Sequence, residues 1–115
     1  MVEIEREKLL DMYRKMLLTR RLDERLREMV LKGGYIFYHS SIGEEAIPIG
    51  AIANLRRDDY IIPGRGPWGH LIAKGMQLDR MLAEFMGKRT GYAGGKAGIH
   101  VACLELGILG KAGTM

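Results

Sequence analysis

FYHSSIGEEAIPIGAIANLRRDDYIIPGRGPWGHLIAKG, residues 37–75, decides how the rest of this chain is read. It holds two of the three histidines, the single tryptophan and a glycine-rich turn between an apolar triplet and a helical pattern. A polar stretch with His39 opens a helix around Gly43-Glu44-Glu45-Ala46 that closes near Leu55. Ser41 and Glu44 have the spacing of a capping box. The small residues Ala46, Gly50, Ala51 and Ala53 predict close approach to another backbone. Pro48 removes a backbone donor, so the helix is expected to start late or to kink. Asp58 and Asp59 then lead into a short strand at residues 60–62, followed by Pro63-Gly64-Arg65-Gly66-Pro67-Trp68-Gly69-His70. A glycine-rich turn of this kind, after a strand and before a helix, points backbone N–H groups at an anion, and phosphate is the first ligand to suspect.

Working outward, residues 5–32 read as one long helix. Leu9, Tyr13, Met16, Leu17, Leu22, Leu26, Met29 and Val30 recur at threes and fours, and Gly33-Gly34 stops the pattern. Asp11 with Lys15, Asp23 with Arg27 and Glu28 with Lys32 have i,i+4 spacing with the acid first, the favourable order for surface ion pairs. Such a helix is ~40 Å long, and its apolar stripe exceeds the core that a domain of this size offers, which predicts an oligomer or a larger assembly. Downstream, Leu78, Met81, Leu82, Phe85 and Met86 form a clean helical stripe ended by Gly87. Residues 88–115 contain seven glycines and no long apolar period. They read either as a frayed tail or as an ordered site loop.

The bounds are those of one domain covering residues 1–115, with 47% hydrophobic residues and a net charge of +4. The basic residues are spread along the chain, so a solvated surface is expected and no nucleic-acid partner. A single cysteine, Cys103, cannot close an internal disulfide. No apolar run reaches the ~18 residues of a membrane span, and no signal-peptide core stands at the N-terminus. No membrane partner and a cytoplasmic location are the expectations. Residues 64–69 satisfy G-x-G-x-x-G, but Pro67 and Trp68 are bulky where a pyrophosphate must approach, and Glu84 falls inside a helix pattern, so the dinucleotide reading is rejected. Gly87-Lys88-Arg89-Thr90 lacks the first glycine of a P-loop, since Leu82 stands there.

Phe37-Tyr38-His39, Ile42-Gly43-Glu44-Glu45-Ala46, Gly50, Asp58-Asp59-Tyr60 and Gly69-His70-Leu71-Ile72-Ala73-Lys74-Gly75 together resemble the opening of the alpha subunit of thiamine-diphosphate-dependent 2-oxo acid dehydrogenases, the pyruvate, branched-chain and acetoin enzymes. The resemblance continues through Phe85-Met86-Gly87-Lys88, Thr90-Gly91-Tyr92, Gly94-Gly95-Lys96, Gly98 and His100 to Gly107, Gly110 and Gly113. Glu44 stands where the family has Gln, and Pro48 where it has a non-proline apolar residue. The family's Gly-Gly-Ser-Met-His reads Ala97-Gly98-Ile99-His100, one residue short and without the Ser.

The resemblance implies an α/β chain, a mostly helical N-terminal fragment of the thiamine-diphosphate-binding fold, truncated before the Gly-Asp-Gly…Asn motif that holds Mg²⁺. It implies oxidative decarboxylation of a 2-oxo acid, or acetoin cleavage, with the acyl unit passed to lipoyl. By the same resemblance His39 is the catalytic candidate on the substrate side, where an imidazole can bond a carboxylate or pass a proton. Arg65 and Gly66 fall at the diphosphate element, with Arg65 reaching its place through a turn one residue tighter before it and one longer after it. Gly113 and Met115 match backbone positions that meet the cofactor. His70 and His100 are possible site-loop residues, and no metal ligand is assigned, because the Mg²⁺ ligands belong to sequence absent from this chain. The implied partners are a C-terminal segment, a beta subunit and a lipoyl-bearing acyltransferase, and the 115-residue chain alone is expected to be inactive. The other reading left open is a non-catalytic helical interaction module from a split or decayed gene.

Overall fold

A computed structural model describes residues 3–33 and 38–111. The first helix, α1, covers Arg6–Leu31 and is followed by α2 (Ala46–Ile52), α3 (Trp68–Ala73) and α4 (Leu78–Phe85), with short 3-10 turns at Gly98–His100 and Leu104–Leu106. The long apolar period of the N-terminus and the stripe from Leu78 to Phe85 thus form the two helices expected of them. At about 1.5 Å per residue α1 alone is ~39 Å long. It sets the long axis of a body measuring 47 × 28 × 28 Å.

Only the C-terminal half of α1 is covered. Thr19, Leu22, Asp23 and Leu26 are buried there, whereas Leu9, Leu10, Tyr13 and Leu17 each remain 45% exposed or more. The core gathers Leu22 and Leu26 with Trp68, Leu71 and Ile72 of α3, Met76 of the turn after it, Met81 and Phe85 of α4, and Ile99, Val101 and Ile108 of the C-terminal segment. Trp68 is at its centre, fully buried, stacked on Tyr38 with ring centroids 6.3 Å apart and edge-on to Phe85 at 5.0 Å. Such aromatic geometries add to the area they bury.

The second helix starts late, as Pro48 leads one to expect, but departs from expectation at its cap and its buried face. It begins at Ala46, so Pro48 lies in the first turn, where a missing N–H is tolerated. No side chain caps it, and the hydroxyl of Ser41 goes to Asp23 instead of back to the helix, so the capping box does not form. Its buried face is Pro48, Ile49 and Ile52, while Ala46 and Ala51 are exposed and Gly50 has open space around it. The close approach is made by Gly69 of α3, where an added Cβ would stand 2.6 Å from Cγ of Pro48 and 3.5 Å from Cγ2 of Thr19.

The strand read at residues 60–62 shrinks to a single bridge. Ile61 pairs parallel with Ile108 through its own N–H to Gly107 O at 2.7 Å and Leu109 N–H to Ile61 O at 3.0 Å. Tyr60 and Ile62 are 67% and 60% exposed, so the apolar triplet is not a buried strand. Ile108 is in turn bridged to Cys103. An isolated pair of strands is marginal in water, and the described residues supply Ile61 with one bridge partner. The described residues therefore form a mostly helical small globule, without the sheet an α/β class would give.

Residues 88–111 are packed and not frayed. The carboxylate of Glu84, on the buried face of α4, accepts the N–H groups of Ala93 at 2.5 Å, Gly95 at 3.0 Å, Ala97 at 2.8 Å and Gly98 at 3.1 Å. One buried side chain thereby takes the place of a strand or helix in satisfying that loop's backbone. The loop also comes very close to α4. A Cβ on Gly91 would stand 2.5 Å from Cα of Glu84.

Candidate functional site

The segment that carries His39 has no regular structure of its own, so its place is set by side chains from other elements. Asp23, fully buried on α1, accepts the backbone N–H of Ser41 at 2.6 Å and the Ser41 hydroxyl at 2.9 Å on one oxygen, and the Tyr38 hydroxyl on the other. Burial, with the Asp23 carboxylate beside it, pushes the Tyr38 hydroxyl above its ordinary range and keeps it a donor. One helical turn earlier on α1, Arg20 pairs with Glu45. The hydrogen bond from Arg20 holds the Glu45 carboxyl below the usual range, and the other Glu45 oxygen accepts Gly43 N–H at 3.0 Å. Residues 38–45 are thus gripped at two points from one face of α1.

The opposite wall is the glycine-rich turn. Trp68 donates its indole N–H to the carbonyl oxygen of His39 at 3.1 Å. Gly66 adopts φ +63, and a Cβ there would lie 3.0 Å from Cβ of Ser41 and 3.5 Å from the carbonyl oxygen of His39. The second glycine of the turn is therefore required both for its left-handed backbone and for contact with residues 39–41. His39, partly buried, and Gly66 are brought together, and Arg65, exposed, flanks the contact.

The other predicted site residues are dispersed. His70 is on α3, and its Nδ1 is buried without a hydrogen-bond partner among the described residues. Burial holds its imidazole below the ordinary histidine value. His100 is exposed at the end of the 3-10 turn Gly98–His100, on the loop organised by Glu84. Gly113 and Met115 lie outside the described residues.

Two carboxylates central to this geometry, Asp23 and Glu84, are missed by sequence reasoning as anchors. The i,i+4 spacing pairs Asp23 with Arg27 on a solvated face, but Asp23 falls in the buried series Thr19, Leu22, Asp23, Leu26. Glu28 likewise pairs with Arg25 at 2.9 Å and not with Lys32, while the Asp11 and Lys15 pair forms at 2.8 Å as spaced. Glu84 sits between Met81 and Phe85 on the buried face of α4. In both helices the signal was an acid in register with the apolar stripe, where an ion must find donors.

For a magnesium-bound diphosphate the described residues offer the exposed Arg65 and, at Gly64, open space where a Cβ would stand. The Gly66 position is filled by residues 39–41, and no group of three or more His, Cys, Asp or Glu side chains among the described residues is placed to hold a metal ion. By themselves these residues do not fit that group.

A family model described as "Dehydrogenase E1 component" matches residues 13–115, and the chain belongs to that family. Among its relatives, the alpha subunit of acetoin:2,6-dichlorophenolindophenol oxidoreductase from Bacillus subtilis is 42% identical over 111 residues, covering 95% of this chain and 33% of the relative. The corresponding subunit from Cupriavidus necator is 37% identical, over 97% of this chain and 34% of the relative. The pyruvate dehydrogenase E1 component subunit alpha of Rhizobium meliloti is also 37% identical, over 98% of this chain and 33% of the relative. These relatives are oxidoreductase alpha subunits, and the chain spans about a third of their length.

Proposed function

We propose that this chain forms part of the alpha subunit of a thiamine-diphosphate-dependent 2-oxo acid dehydrogenase or acetoin-cleaving enzyme, the component that decarboxylates or cleaves its substrate and passes the acyl unit to lipoyl. The observation that carries the reading is the packing of residues 39–41 on the Gly66 turn in a chain of the dehydrogenase E1 family. His39 hydrogen-bonds the substrate or moves a proton at its imidazole, and Arg65 contributes a cation to the diphosphate. Gly113 and Met115 supply backbone contacts to the cofactor, and His70 and His100 belong to the surrounding loops. The Mg²⁺ ligands and the α/β sheet come from further alpha-subunit sequence, and a beta subunit completes the site. The assembly is an oligomer that works in the cytoplasm, a location with which the single Cys103 agrees.

The test is an assembly of this chain with the rest of a related alpha subunit and its beta subunit, assayed for 2-oxo acid decarboxylation and acetoin cleavage. His39→Ala is expected to lower kcat by about 10²-fold, and Arg65→Ala to weaken cofactor binding with a smaller effect on kcat. An assembly whose turnover is indifferent to His39 contradicts the reading. The exposed Leu9, Leu10, Tyr13 and Leu17 face supports the second reading, a helical interaction module. In that case the assembly forms but is inactive.

A further inference from the structure

We infer that Asp23 is a positioning residue for His39, acting through Tyr38 and Ser41. The inference rests on the role proposed above for His39, and it deepens that reading by naming what holds the histidine in place.

Residues 38–45 contain no helix or strand, so a fixed position for His39 requires donors and acceptors from elsewhere. Asp23 meets three donors that flank His39 in sequence: the Tyr38 hydroxyl, Ser41 N–H and the Ser41 hydroxyl. It is fully buried, and its neighbours Leu22 and Leu26 lock its turn of α1 into the core. A carboxylate accepts all three at once, whereas an asparagine would turn its amide N–H₂ toward the Tyr38 or Ser41 hydroxyl, which must then reverse its own proton to accept. On the far side Trp68 holds the His39 carbonyl oxygen. The histidine is therefore clamped between α1 and the start of α3, and a small loosening of the α1 side displaces it relative to the Arg65 turn.

The test uses the 115-residue chain and the completed assembly in parallel. Trp68 is the single tryptophan, so its indole N–H gives one NMR resonance that reports on the bond to His39. In Asp23→Asn that N–H is expected to exchange about tenfold faster or more, and the His39 C2–H resonance to shift or broaden, with helix content retained. Asp11→Asn, which breaks an exposed ion pair on the same helix, should leave both signals unchanged. In the assembly Asp23→Asn should lower kcat by about ten- to a hundredfold, with KM within about twofold. Adding Ser41→Ala should lower it little further, because both act on one contact.

Unchanged Trp68 and His39 signals in folded Asp23→Asn, or a loss of activity confined to KM, would overturn the inference. Should Asp23→Asn fail to fold, Tyr38→Phe and Ser41→Ala decide the matter: each is expected to move the same two signals by a smaller amount, and no movement in either overturns it. A wild-type assembly without activity would overturn the proposed reaction, while the NMR signals decide the clamp independently.

Discussion

The indole N–H of Trp68 donates to the carbonyl oxygen of His39 at 3.1 Å, joining the centre of the hydrophobic core to the segment that carries the candidate catalytic histidine. Trp68→Phe keeps an aromatic ring beside Tyr38 and Phe85 but leaves that carbonyl without its donor and opens a small void. A loss of about 2–3 kcal/mol is expected. Urea unfolding followed by circular dichroism measures it, and a loss below about 0.5 kcal/mol would show that the bond contributes little.

Glu84 gives a second expectation. Burial raises its carboxyl pKa, but the four backbone N–H groups outweigh it and hold the group below its ordinary value of 4.5. A carboxylate depressed in the fold contributes stability that is complete above 4.5 and is lost as pH falls through the folded value. Glu84→Gln should therefore cost about 2–3 kcal/mol at pH 7, and the difference from wild type should narrow on acidification below 4.5. Thermal melts across that range read both effects.

His70 acts at milder pH. Its imidazole is held below 6.5 by burial, so the unfolded chain takes up a proton before the folded one does, and stability falls as pH drops below 6.5. His70→Gln should flatten the melting temperature between pH 6.5 and the onset of carboxylate protonation. A slope identical to wild type in that window contradicts the assignment.

Gly69→Ala tests the junction of α1, α2 and α3. The new methyl would stand 2.6 Å from Cγ of Pro48, a ring atom with little freedom to move. Overpacking of this kind is expected to cost about 1–3 kcal/mol. By contrast Gly50→Ala, with open space around it and a helical backbone, should be neutral or stabilising.

Much of this architecture was legible in the residues. The period of α1, the stripe of α4 and the late start forced by Pro48 follow from local spacing and from proline's missing donor. The strand expected at residues 60–62 does not extend, because an apolar triplet becomes a strand only where partners pair with it, and Ile108 alone bridges Ile61 among the described residues. Ser41 looked like a helix cap because Glu44 is three residues on, yet a buried carboxylate is a stronger acceptor for its hydroxyl than a role at the end of a seven-residue helix allows. Of the site, the resemblance implies His39 and the Arg65-Gly66 turn as separate elements, and their meeting is seen only in the structure. The clamp that makes it, Asp23 and Trp68, depends on tertiary contacts that no spacing rule contains.

Under the function proposed above, this chain contributes His39 and the Arg65 turn to a thiamine diphosphate site completed by other polypeptide. Isothermal titration calorimetry with Mg²⁺ and thiamine diphosphate tests this, on the 115-residue chain alone and on its assembly with the C-terminal part of a related alpha subunit and a beta subunit. Diphosphate binding needs metal ligands and fixed donors to offset the desolvation of its charges, and the described residues offer Arg65 and the backbone around Gly64. The expected result is no micromolar binding by the chain alone and saturable binding by the assembly that Arg65→Ala weakens. No binding by the assembly, or binding that is indifferent to Arg65, would contradict the claim.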